Sequence, residues 1–215
     1  MKTLFKVLVF SIIFSSCKRD EVVFSCDPIL NQYVSTHQAV LKSLSLTDLT
    51  NSDLVFQQAA FRSYDATRKR EVWIQKIQSL LVTQIYSPDE FAHVNSLLNH
   101  LHENYFIKEN IESERNERKQ FATDWINKAK NSLGWTDQQV AFVVYRLYTT
   151  TSQFDTELRF IQSIQQQNSI QPTGNCGCST STDFCSGSAL CNSGSCSTST
   201  GCGWMWSQAC DGTCR

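Results

Sequence analysis

Eight cysteines crowd the C-terminal end of the chain: Cys176, Cys178, Cys185, Cys191, Cys196, Cys202, Cys210 and Cys214. Thiols at this density either oxidise to disulfides or, as thiolates, bind a soft metal such as zinc or copper. Ser, Thr, Gly and Asn fill most of the space between them. The apolar residues are few: Phe184, Ala189, Leu190, Trp204, Met205, Trp206 and Ala209. Segment 175–215 therefore lacks the apolar surface to fold by burial alone, and cross-links must replace a core. Disulfides fit better than a metal. The cysteine number is even, the segment has no histidine, and the paired Cys-x-x-Cys knuckles of zinc sites are missing. No metal or other cofactor is expected. Each bridge contributes about 2–4 kcal/mol by restricting the unfolded chain. Eight cysteines permit on the order of a hundred pairings, and spacing does not choose among them. Cys176 and Cys178 are too close to bridge each other easily, so each is expected to pair with a later cysteine.

The run Gly203-Trp204-Met205-Trp206 offers a second chemistry. Trp suits a lipid–water interface, so Trp204, Met205 and Trp206 are candidates for membrane or partner contact. Packing on the disulfides as a small core is the competing reading. Segment 175–215 holds Arg215 against Asp183 and Asp211. Most membrane-lytic peptides are cationic, so this charge argues against simple lysis.

The N-terminus supplies the two remaining cysteines. Lys2 and Lys6 lead an apolar run from Val7 to Phe14 that is too short to span a bilayer. Phe14-Ser15-Ser16-Cys17 then resembles a bacterial lipobox, with Phe in place of the usual Leu. The expectation is a signal peptide over 1–16 and a lipidated Cys17, with 17–26 as tether. Several acyl chains on one cysteine make a stable membrane anchor. Val23-Phe24-Ser25-Cys26 looks like a second lipobox, but Lys18, Arg19, Asp20 and Glu21 break its apolar lead-in. Cys26 is left as an unassigned thiol, free or paired with another chain or with the tail.

Between Cys26 and Cys176 there is no cysteine, and residues 27–170 read as an all-α domain. Apolar stripes near helical spacing run over Asn31–Leu44, Asp53–Arg62, Asp65–Thr83 and Phe91–Leu101, and recur at Phe121–Leu133 and Val140–Leu147. Ser87-Pro88-Asp89-Glu90 and Thr136-Asp137-Gln138-Gln139 are capping boxes. Tyr86/Phe91 and Trp135/Val140 stand at the positions of hydrophobic staples. Gly134 sits where a helix C-terminal cap belongs. Phe154–Ile164 fits a helix or a strand, and 171–174 is a linker. Trp73, Trp125 and Trp135 belong to the core. His37, His93, His100 and His102 read as solvated. No phosphate loop, nucleophile elbow or zinc-protease motif is present, so no enzyme is expected.

The tail also carries a resemblance. Asn-Cys-Gly-Cys-Ser from Asn175, Ser-Thr-Asp-Phe-Cys ending at Cys185, Gly-Cys-Gly-Trp-Met-Trp from Gly201 and Cys-Asp-Gly-Thr-Cys ending at Cys214 resemble the tail of bacteriocin fulvocin C-related proteins. Trp73-Ile74-Gln75-Lys76 and Leu133-Gly134-Trp135-Thr136 are similar to that family's helical region. The resemblance implies an exported protein whose tail is the counterpart of an eight-cysteine bacteriocin.

The whole chain has 215 residues, net charge −1 and 18% charged residues, which gives no electrostatic case for nucleic-acid binding. The expected fold is a helical domain followed by a small disulfide-stapled, loop-rich C-terminal domain. The expected place is the outer membrane or cell surface of a Gram-negative bacterium, with the tail able to be released. Bacteriocin-like activity against an unidentified envelope target comes first. A non-toxic lipoprotein whose disulfide knob binds a surface ligand is the alternative. A thiol- or metal-handling role comes last, because Arg215, beside Cys214, is the tail's one basic residue, and no other tail cysteine has a basic neighbour in sequence to lower its pKa.

Overall fold

Short polar side chains start most of the helices. Asp27, Ser45, Asp53, Asp65, Ser87 and Thr136 each accept a hydrogen bond from a first-turn backbone N–H. The computed structural model describes residues 22–107, 112–166, 177–185 and 189–214. The signal segment 1–16, Cys17, the linker 171–174 and Cys176 lie outside those residues.

The helices are α1 (Pro28–Thr36), α2 (Gln38–Ser43), α3 (Leu46–Thr50), α4 (Leu54–Ser63), α5 (Ala66–Thr83), α6 (Pro88–His100), α7 (Glu112–Asn131), α8 (Asp137–Val144) and α9 (Thr151–Gln166). Both expected capping boxes form, at Ser87/Glu90 and Thr136/Gln139. Gly134 takes φ +71°, and the Trp135 N–H returns to Ala129 O at 3.0 Å, closing the end of α7. The ambiguous stretch from Phe154 is helix. Two expectations change. The stripe over Asn31–Leu44 breaks at His37, where the Thr36 hydroxyl bonds the Gln32 and Tyr33 carbonyls and the His37 ring stacks on Tyr33. Phe91 is exposed rather than stapled, and Tyr86 stacks instead on Trp135.

The tail is more regular than the expected loops. Strand β1 (Cys191–Cys202) pairs antiparallel with β2 (Gln208–Cys214), with Cys191 opposite Cys214 and Cys202 opposite Gln208. Irregular register between these ends bends the ribbon. Cys178 adds an isolated bridge to Gly212. The hairpin tip is a tight turn over Trp204–Trp206.

That tip joins body and tail. Trp204, Met205 and Trp206 belong to the same buried cluster as Phe61, Trp73, Tyr105, Trp125 and Leu147. The compositional boundary near residue 174 is thus no boundary in the packing: one core serves both parts. The turn is strained, since Met205 and Trp206 take φ of +46° and +54°. L-residues hold such angles only where surrounding contacts over-determine them. Gly203, at φ +65° and ψ −159°, occupies a region essentially reserved for glycine. A Cβ there would collide with the Gln208 side chain and approach Thr182 O to 2.7 Å. Gly203→Ala is therefore expected to destabilise by at least ~2 kcal/mol, read as a lower urea midpoint.

Candidate functional site

The cysteine network and its polar surroundings form the candidate site. Four bridges occur among the described residues: Cys26–Cys196, Cys178–Cys191, Cys185–Cys214 and Cys202–Cys210. Cys26 is thus not an unassigned thiol. It leaves the helical body to meet β1, so the tail's cross-links are not all internal. Two contacts position it. Asn31 Oδ1 accepts from the Phe24 and Ser25 N–H groups, and Arg62 Nη1 donates to Phe24 O at 2.7 Å.

The bridges sit in two stacks. The sulfurs of Cys178, Cys185 and Cys214 lie within 4.8 Å of one another. In the other stack, half-buried Cys26 and Cys196 pack against fully buried Cys202 and Cys210.

Helix α4 places two donors on that second stack. Gln58 and Arg62 are four residues apart, on one helix face. Gln58 Nε2 reaches Cys202 Sγ at 3.4 Å, and Arg62 Nη2 reaches Cys210 Sγ at 2.7 Å. Arg62 Nε also donates to Thr200 O at 2.7 Å. No carboxylate pairs with Arg62 among the described residues. Burial pushes its guanidinium down to about 9, still a cation at neutral pH. Sequence spacing did not reveal this neighbour because 148 residues separate Arg62 from Cys210. The available signal was a basic residue following Ala59-Ala60-Phe61.

Trp204, Met205 and Trp206 are 2%, 0% and 1% exposed. As folded, the three present no surface to a membrane or partner, which corrects their candidacy as a contact edge. Trp206 packs edge-on against Phe61 and Trp73, and its Nε1 donates to Tyr145 O at 3.0 Å. They pack in the helical core, not on the disulfides alone.

Lys76 is another buried cation unforeseen in the sequence. Its Nζ donates to Phe142 O and Tyr148 O, each at 2.6 Å, and lies 4.7 Å from the Phe142 ring centroid. Burial holds its pKa well below the usual lysine value. It ties α5 to the C-terminal end of α8 and to the segment that follows it. Arg146 and Glu157 form a buried ion pair at 2.8 Å. Burial raises the Asp183 carboxyl, although three backbone N–H groups, from Ser179, Phe184 and Gly203, bond it. A cavity of about 330 Å³ opens beside it, lined by Ile126, Val140, Tyr145 and Leu190. Its second acid, Asp137, is paired with Lys130 at 2.7 Å.

His93 and His100 are not the solvated side chains expected from the sequence. His93 is buried and stacks on Trp125; His100 is half-buried and stacks on Phe121. Burial, reinforced by Lys128 for one and by His102 and Arg118 for the other, pushes both down to about 4. The unfolded chain binds protons on these rings near pH ~6.5, before the folded one does. Their contribution is therefore complete above pH ~6.5 and lost as pH falls toward 4. Stability is expected to drop by about 1–3 kcal/mol across that window. Denaturation midpoints measured through it check this, and His93→Phe should flatten the slope.

Compared with known proteins, the chain has no significant match to any family model, curated protein or solved structure.

Proposed function

We propose that the chain is an exported, bacteriocin-like envelope lipoprotein that carries its cysteine-rich tail in a sheathed form. The observation that supports this is the burial of Trp204, Met205 and Trp206 in the helical core. An apolar tip of that size on an otherwise polar, cross-linked hairpin would be adhesive if bare. Held under helices α4, α5 and α7, it is silent until the tail undocks. Lipidated Cys17 would hold the body at the outer membrane or cell surface, so Cys17→Ala should move the protein from the membrane fraction to the soluble one. The bridge Cys26–Cys196 would then tether the tail until it is opened.

The test compares growth inhibition by the intact oxidised chain with that by the full chain carrying Cys26→Ser and Cys196→Ser, whose tail lacks that covalent tie to the body. Inhibition of related strains by the variant, and little by the intact chain, supports the sheathed reading. Inactivity of both across a broad panel favours the second reading, a surface lipoprotein whose hairpin binds a ligand. One observation supports that second reading: Asn192, Ser193, Ser195, Ser197 and Ser199 stand exposed along β1, a polar row able to hydrogen-bond a partner.

A further inference from the structure

The pair of bridges under α4 differs chemically from the other two. Arg62 lies on Cys210 Sγ, and Gln58 lies on Cys202 Sγ. A cation on one sulfur makes that sulfur the better leaving group, because it stabilises the departing thiolate. The neutral amide on Cys202 does less. The buried pair has no direct access to solvent, since Cys202 and Cys210 are fully buried. The bridge packed against it, Cys26–Cys196, is only half-buried.

We propose that Cys202–Cys210 is a redox-active disulfide that takes electrons from dithiols by way of Cys26–Cys196, and that its reduced form holds Cys210 as a thiolate beside Arg62. One thiolate of the donor dithiol attacks a sulfur of Cys26–Cys196, forming a mixed disulfide and releasing the other sulfur as a thiolate. The donor's second thiolate closes the donor disulfide and frees the attacked cysteine. The donor has lost two electrons, and Cys26 and Cys196 have gained them. One of these two then attacks Cys202 Sγ, and Cys210 departs toward Arg62. The remaining thiol of the pair, as its thiolate, attacks the mixed bridge, re-forms Cys26–Cys196 and releases Cys202, which takes a proton. Two electrons now reside on Cys202 and Cys210. One of the donor's two protons is on Cys202, and the other has gone to solvent.

The groups around Cys210 suit this charge. Arg62 faces it from α4. From α5, Lys69 Nζ reaches Thr200 Oγ1, on the strand that Arg62 also holds. The adjacent carboxylate, Asp211, is turned to the Thr180 N–H and hydroxyl at 2.8 and 2.9 Å. The result would be an envelope thiol–disulfide exchange activity, independent of the bacteriocin-like reading.

The experiment uses the full oxidised chain. It is equilibrated with graded ratios of reduced to oxidised dithiothreitol, quenched by alkylation and mapped by mass spectrometry. The expected result is that Cys202–Cys210 opens at a ratio about 10-fold lower than Cys178–Cys191 and Cys185–Cys214. Arg62→Ala should raise that ratio about 10-fold for Cys202–Cys210 alone, and Arg62→Lys should restore part of the difference. The proposal is overturned if Cys202–Cys210 is the last bridge to open, or if Arg62→Ala shifts every bridge alike. Should Arg62→Ala not fold, the wild-type pH dependence decides. Release of one proton requires the equilibrium to favour reduction about tenfold more per pH unit near neutrality. A pH-independent equilibrium there overturns the proposal.

Discussion

Trp206→Ala is expected to destabilise the protein by about 3–5 kcal/mol, the range for losing a large aromatic from a packed core. The ring is 1% exposed, with centroids of Phe61 and Trp73 at 5.3 and 6.1 Å. Truncation removes those contacts and leaves a void between α4 and α5 that packed helices fill only in part. It also orphans the Tyr145 carbonyl, which now accepts from Trp206 Nε1. An unfolding free energy of ~5–15 kcal/mol is ordinary for a domain, so this one side chain is a large share of the total. Urea denaturation checks the size. Ile85→Ala, at a fully exposed position, is the matched control and should stay within about 0.5 kcal/mol. Equal effects for the two variants would mean that the hairpin tip does not belong to the helical core. Trp206→Phe should cost less than Trp206→Ala, because the new ring still fills most of the site.

The difference between what sequence conveys and what it withholds runs along one line, the range of the interaction. Ser87 and Glu90 are three residues apart, and their mutual bonds depend on little else, so α6 was legible. So were Thr136/Gln139 at the start of α8 and Gly134 after α7. Trp73, Trp125 and Trp135 lie on or beside apolar stripes, and all three are buried. His93 was misread, and Arg62 and Lys76 were passed over, because a polar side chain reads as solvated until its surroundings are known. Lys76 did leave a trace: it follows Trp73 by three residues and precedes Leu80 by four, which places it on the buried stripe. Among the cysteines, number and compartment argued for bridges, but the partners depend on how the chain crosses itself. The pairing of Cys26 with Cys196 spans 170 residues. No spacing rule reaches that far. Nor could composition show that Trp204 and Trp206 pack on α4, α5 and α7, whose last residue, Asn131, is far back in the chain.

Removing the Cys26–Cys196 bridge by Cys26→Ser with Cys196→Ser is expected to cost about 2–5 kcal/mol. Chain entropy sets the upper figure, since a loop of 170 residues is among the costlier ones to close. The lower figure applies if contacts such as Arg62 with Thr200 already hold hairpin and body together in the unfolded ensemble's compact members. The loss should also have a structural signature. Gly203 and the left-handed Met205 and Trp206 keep their strained turn only while the helical core grips it. Without the bridge, that grip is non-covalent, and the turn can relax by leaving. The variant should therefore bind more of a hydrophobic dye than the wild type, and exchange amide hydrogens of β1 and β2 faster than those of α5. A uniform loss of protection across α5 and the hairpin would instead make the bridge a general staple. Preferential opening of the hairpin would make it the latch of a sheathed tail.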